Sequence, residues 1–347
     1  MATTTPPTPS AAPVRPATPL PPRRTPTVKA KTAPKDSWRT WPLRDRAGLA
    51  LCWAAGIFFC LVAASIVLYM LYKGVTQLSL DLLVSSPESS QDQTKSGGIL
   101  DPILGTLILT TIGIALAAPL GVTVALWLTE YGRPRWLARA VEISVEIIAG
   151  TPSIVLAIFG LIVFSQDFLS FLSFEATGGG VFGRSFFIAG AVMSLIALPL
   201  VVGATREALQ SIPGHVREAS YALGKTKAAT IRRVLLPAIR PGIATGSVLG
   251  MGRIVGDTAI VIVLLGATVQ LEAYGDTPVL GTLRGTGSTL TSYVYQNSPA
   301  GEGGSPDKAY AAAFVLLLIV LALNFSVDLI AAGGRRSRGG LSDRGKA

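Results

Sequence analysis

The sequence predicts an all-α integral membrane protein with six transmembrane helices, and three observations predict it. Half of the 347 residues are apolar and only 14% are charged, too hydrophobic for an ordinary soluble domain and too long for one packed apolar core. Six apolar runs stand at about 47–72, 102–128, 141–164, 186–204, 242–267 and 310–332, each long enough to cross roughly 30 Å of hydrocarbon as a helix. Lysine plus arginine number nine in 1–46, two in 73–101, three in 129–140, one in 165–185, seven in 205–241, two in 268–309 and five in 333–347. High and low counts alternate, so the positive-inside rule puts both termini and the segments 129–140 and 205–241 in the cytoplasm. A seventh or a missing helix would break the alternation.

The segments follow in order. Residues 1–46 hold eleven of the 23 prolines and nine basic residues. They bury no apolar area and are expected to be a disordered cytoplasmic tail. The tail is too long for the charged part of a signal peptide, and the run 47–72 is too long for its apolar part, so that run is expected to be retained. Cys52 and Cys60 lie eight apart in it, too far along one helix to pair. An extracytoplasmic loop, 73–101, precedes a core of five helices over 102–332, and 333–347 is a basic cytoplasmic tail. Pro119, Pro152 and Pro199 interrupt three of the runs. Each removes a backbone hydrogen bond, and the freed carbonyl needs another partner in lipid; Thr151 and Ser153 flank Pro152 for that purpose. The extracytoplasmic loop 268–309 is rich in Gly, Ser and Thr, and is either a short re-entrant helix or irregular.

The run 242–267 carries the most chemistry. Gly246 and Gly250, and Gly252 and Gly256, stand at the four-residue spacing that lets another helix approach closely. Arg253 and Asp257 are also four apart, on one face. A charged group at mid-membrane costs about 2.5–3.5 kcal/mol on insertion scales, so two of them either neutralise each other or line an aqueous path. Glu142, Glu146 and Asp101 lie at membrane edges, where Glu142 and Glu146 suit an interfacial or inter-subunit role. His215, the only histidine, has no partners at ligand spacing. Neither a metal set nor a catalytic dyad is visible in the helices, which counts against a membrane enzyme.

The segment between the fourth and fifth runs contains EASYALGKTKAATIRRVLLPAIRPG. Its Gly224-Lys225-Thr226 is not a phosphate-binding loop, because Ala219 stands where the first glycine belongs and no strand leads in. The basic charge does not point to nucleic acid, since such charge beside a bilayer meets anionic lipid first. Gly224 and Pro237 divide the segment into short helices. Glu218-Ala219, Gly224 after four intervening residues and Leu236-Pro237 after eleven more resemble the EAA loop of ABC importer permeases, with Ser220 and Val234 at two variant positions. The resemblance implies the type I permease fold, with a cytoplasmic coupling-helix loop at 205–241. It also implies that Glu218, Ala219, Gly224, Leu236 and Pro237 belong to the contact with a separate ATPase, which would hold the ATP and magnesium; no cofactor is expected in this chain.

Further stretches, GTLILT at 105–110, TPSIV at 151–155, LPLVV at 198–202 and GRIVGDTA at 252–259, look like permeases of the phosphate-specific importer, more like its A-type than its C-type permease. The resemblance implies as partners a C-type permease, two ATPase subunits and an extracytoplasmic phosphate-binding protein. It implies a phosphate path past Arg253, Asp257, Thr258, Arg206 and Glu207. Two departures stand out. Where the family carries Gly-Glu-Thr-Ala-Pro, this chain has Gly256-Asp257-Thr258-Ala259-Ile260. Where the family often has arginine, Gly203 stands, with Arg206 and Glu207 about one turn on. Another oxyanion such as sulfate or molybdate, a small organic solute, and a membrane enzyme or scaffold are the alternatives.

Overall fold

The structure, a computed structural model, describes residues 42–87, 97–173, 183–266, 271, 278–299 and 305–339. The expected Pro-rich tail therefore lies, up to residue 41, outside the described residues, as do 340–347. All regular elements among the described residues are helical. The chain divides into one unit ending at Leu61 and a second beginning at Val62. The described part of the first unit is the start of α1 (Leu43–Gln77). Its side chains are almost all exposed, including Trp53, Phe58, Phe59 and the two unpaired cysteines. In hydrocarbon that is the expected surface, because lipid tails are as apolar as leucine.

In the second unit, α2 (Leu80–Val84) is capped by the Ser79 hydroxyl, which accepts from the Leu82 amide. There follow α3 (Leu100–Leu126), continued by a π-helical turn over Trp127–Tyr131, α4 (Arg135–Gly150), α5 (Ser153–Phe164) and α6 (Phe186–Gln210). Then come α7 (Gly214–Ala222), α8 (Lys227–Thr230), a second π turn, Ile231–Leu235, and α9 (Leu236–Ala238). The remaining elements are α10 (Arg240–Val255), α11 (Ala259–Leu265), α12 (Pro278–Arg284), α13 (Leu290–Asn297) and α14 (Pro306–Gly339).

Four helices are long and apolar enough to cross a membrane: α1, α3 with its π turn, α6, and the stretch Pro306–Val327 of α14. Two bent pairs bring the number to six if each is one span: α4 with α5, at 109°, and Lys227–Ala238 with α10, at 66°. The run 141–164 is thus not one straight rod. It turns at Thr151 and Pro152, where proline offers no amide and its ring crowds the preceding turn. Thr151 supplies the compensation expected of it. Its hydroxyl donates to the Ile147 carbonyl at 2.7 Å and its amide to that of Ile148 at 3.2 Å. Pro119 and Pro199, by contrast, lie inside the continuous helices α3 and α6.

The core is built on α3, α6 and α10, and small residues set their spacing. A Cβ added at Gly242 would meet Ala208, at Gly246 Ala204 and Val201, and at Gly250 Ala197, at 2.3–3.3 Å. The contact thus climbs α10 as it descends α6, so the two run antiparallel with their backbones nearly touching. The first glycine pair therefore does what its spacing predicts. Fully buried Phe186, Ile188, Met193, Ile254 and Leu264 fill the space among α3, α5, α6, α10 and α11.

The segment after α11 contains ordered helix. α13 opens with a capping box in which Thr289 and Ser292 satisfy each other's backbone amides. Its Leu290 amide donates to the Thr106 hydroxyl at 2.9 Å, and Thr106 donates on to the Pro102 carbonyl at 2.8 Å. Gly105 makes this seat possible, since a Cβ there would stand 2.1 Å from the Ser288 carbonyl oxygen. Replacing Gly105 with alanine is therefore expected to push α13 off α3 and cost about 1–3 kcal/mol, the usual range for overpacking. A thermal-unfolding scan in detergent will show a lowered Tm; an unchanged Tm would mean that α13 is not seated on α3. Asp101 likewise holds this side together, accepting from the Ser86 hydroxyl and the Leu271 amide, both at 3.1 Å.

Candidate functional site

The helix predicted over 242–267 is broken. α10 ends at Val255, α11 starts at Ala259, and Gly266 closes it with φ +86°. A break inside a membrane leaves amides that need acceptors, and Asp257 supplies one: its Oδ1 accepts from the Ile260 amide at 3.1 Å. Its Oδ2 faces Nη1 of Arg253 at 3.7 Å, close enough for an ion pair and too long for a good hydrogen bond. The two partners differ sharply in environment. The Asp257 side chain is 3% exposed and that of Arg253 47%. One residue before Arg253, none of the described residues stands within 4 Å of a Cβ built at Gly252. Thr258 lies in the break itself, and its carbonyl accepts from the Ile262 amide at 3.0 Å.

The two substitutions that make up the first departure, Asp257 and Ile260, meet at this break. An isoleucine at 260, where proline is usual, adds an amide donor at the break. An aspartate at 257, shorter than glutamate, bends back far enough to accept it.

A second constellation surrounds the segment 205–241. α7 and α8 meet in a turn at Gly224, whose φ of +72° suits glycine and strains other residues. The Thr226 hydroxyl caps α8, and Ser220 and Thr230 share a buried hydroxyl–hydroxyl bond of 2.8 Å across the turn. Arg217 fastens this hairpin to the ends of two long helices. Its guanidinium donates to Oε1 of Glu130 at 3.0 Å and to the carbonyls of Ile212 and Leu209 at 2.9 and 3.0 Å. Lys227, beyond the turn, donates to the Glu130 carbonyl and sits 4.6 Å above the Tyr131 ring. The end of α3 therefore grips both halves of the hairpin. Glu218, Ala219, Tyr221 and Leu223 stay exposed, Leu223 most of all at 77%.

The model of the binding-protein-dependent transport system inner membrane component matches residues 117–333. The chain belongs to this family of transport permeases. Over 243 residues this permease is 34% identical to the "Phosphate transport system permease protein PstA 1" of Mycobacterium tuberculosis, a match covering 70% of this chain and 73% of that one. Over 294 residues it is 31% identical to the PstC protein of Xylella fastidiosa, covering 80% and 86%. The fold agrees with that of solved ABC importers. A bacterial alginate ABC transporter superposes with a TM-score of 0.56 at 18% identity, covering 83% of this chain and 94% of that one. The inward-facing methionine transporter MetNI gives 0.51 at 21% identity, covering 68% and 95%. The permease is thus a multi-pass membrane protein of the ABC importer type.

Within this permease the residues predicted for the substrate path fall in two places. Arg253, Asp257 and Thr258 gather at the break. Arg206 does not join them: it forms an ion pair of 2.6 Å with Glu142 of α4. From the helix register, Arg206 lies some ten residues along α6 from the level of Arg253, about 15 Å away at 1.5 Å per residue. Glu207, beside it, is exposed. Glu142, expected at an interface, has its partner inside this chain. Of the predicted coupling residues, Glu218 and Ala219 lie on the outer face of α7, Gly224 makes the turn, and Leu236 and Pro237 begin α9. Leu236 packs there beside buried Leu209, Leu235 and Ile239.

Arg217, Glu130 and Lys227 escaped the sequence-based expectation. The one signal available was Glu130 itself, the sole acid in the basic segment 129–140.

Proposed function

We propose that this chain is one of two permease subunits of an ATP-driven inorganic phosphate importer, the A-type subunit, with both termini and the segments 129–140 and 205–241 in the cytoplasm. The relatives named as phosphate permeases support the cargo, and the alternation of basic charge supports the orientation. The carrying observation is the Arg253–Asp257 pair at the helix break, with the arginine half exposed beside a stretch of α10 that the described residues leave uncovered at Gly252. Bare guanidinium against lipid is costly, so that stretch borders a companion permease or the water between them. Arg253 offers paired planar donors to a phosphate oxygen. Near neutral pH phosphate still carries a proton, and Asp257 accepts the P–OH; sulfate lacks that proton and meets only repulsion.

The exposed edge of α7 with the Gly224 turn docks on a separate ATPase subunit, which binds ATP and magnesium. Closure of the ATPase pair moves the hairpin, and the hairpin tilts α6 and α10, opening the path alternately to each side. No bond is made or broken in this chain. An extracytoplasmic binding protein delivers the phosphate.

The test is uptake of radiolabelled phosphate into vesicles holding the complete complex. Uptake is expected only with ATP inside and binding protein outside, and excess sulfate is expected to leave it unchanged. Competition by sulfate as strong as that by unlabelled phosphate would overturn the cargo; uptake without ATP would overturn the mechanism.

A further inference from the structure

An open pocket of about 750 Å3 lies where α3 ends against the coupling hairpin, lined by Trp127, Glu130, Tyr131, Arg133 and Lys227. Its charge is lopsided. Glu130 is 6% exposed and committed to Arg217, so the carboxylate in the wall is already neutralised. Lys227 and Arg133 remain as surplus positive charge, and Arg133 is exposed. Lys227 makes its contacts with the Glu130 carbonyl and the Tyr131 ring, and neither is an anion. The other two walls are Trp127 and Tyr131, in the last turn of a membrane-crossing helix. Tryptophan and tyrosine with arginine and lysine at a span's end make up the usual residue set of the headgroup level. An aromatic-walled, net-positive pocket at that level fits the phosphodiester of an anionic lipid.

We propose that this pocket binds the headgroup of an anionic phospholipid, such as phosphatidylglycerol, and that the bound lipid braces the hairpin through Lys227. The inference rests on the membrane orientation given above and is independent of the cargo. A free phosphate ion offers the same chemistry. The aromatic walls and the open side at the bilayer edge favour the lipid.

The experiment uses the complete complex in vesicles doped with a photoreactive phosphatidylglycerol, followed by peptide mapping, a readout that needs no transport. Label is expected on the peptide carrying 127–133. Arg133→Gln is expected to lower it about fivefold, the effect of roughly one basic residue at an anionic surface. Arg139→Gln removes an equal charge from the exposed face of α4 nearby, and is expected to change the label by less than half as much. Absence of label on 127–133, equal loss in the two variants, or label suppressed by inorganic phosphate would each overturn the proposal, the last in favour of the soluble ion. Lys227→Gln is expected to lower the label as well as phosphate uptake. Should it lower uptake with the label unchanged, Lys227 would be only a strut.

Discussion

Arg217→Met will uncouple ATP hydrolysis from transport. The substitution removes three bonds that fasten α7 to the ends of α3 and α6, and it leaves the buried Glu130 carboxylate without its ion-pair partner. Breaking a buried pair by removing one partner costs about 3–5 kcal/mol; the arginine side chain is 20% exposed, which puts this pair near the lower end. Two consequences follow. The Tm of the complex in detergent falls, and uptake per ATP hydrolysed falls more steeply than ATP hydrolysis itself, because the hairpin can rock without carrying α3 and α6. Adding Glu130→Gln removes the stranded charge and is expected to restore much of the Tm but not the uptake. Uptake and hydrolysis that stay in their original ratio would show that Arg217 does not transmit motion.

Asp257→Asn will separate the two tasks that meet in that side chain. Asparagine keeps an oxygen for the Ile260 amide, so the helix break and the fold are expected to survive. It loses the charge facing Arg253 and the ability to favour a protonated oxyanion. Phosphate uptake is expected to fall about tenfold, equivalent to roughly 1.4 kcal/mol at the transition state, and sulfate is expected to become a competitor. Arg253→Ala should be harsher on stability, since it strands a carboxylate that is 3% exposed. Wild-type uptake and selectivity in Asp257→Asn would reduce the pair to a structural ion pair. The measurement is initial-rate uptake of labelled phosphate with and without sulfate.

Composition and charge alternation are enough to predict a helical membrane protein, because hydrocarbon admits few spanning structures. The spacing from Glu218 to Pro237 was equally legible, since a turn at φ +72° asks for glycine and the start of α9 takes proline. The breaks were harder. Pro152 turns its span by 109° while Pro119 and Pro199 leave theirs continuous, and the difference depends on neighbouring helices, which a one-dimensional pattern does not contain. The break at 256–258 has no proline at all; glycine and a carboxylate that captures an amide produce it. Of the site, the Arg253–Asp257 pair was readable from its four-residue spacing. The Arg206–Glu142 and Arg217–Glu130 pairs were not, as each joins residues more than sixty positions apart.

The glycine–alanine seam between α6 and α10 has a mechanical corollary. Backbones in contact over Gly242, Gly246 and Gly250 cannot slide without forcing a glycine past an alanine methyl, so torque arriving at the hairpin turns both helices as one stiff body. The compliance of this subunit must then reside elsewhere, and the interrupted stretch at 256–258, with few intrahelical bonds to lose, is the natural pivot. Arg253 precedes that pivot and Asp257 lies within it, so on the proposed mechanism a swing of the rigid pair would change the distance between the two charges as the path opens to one side or the other.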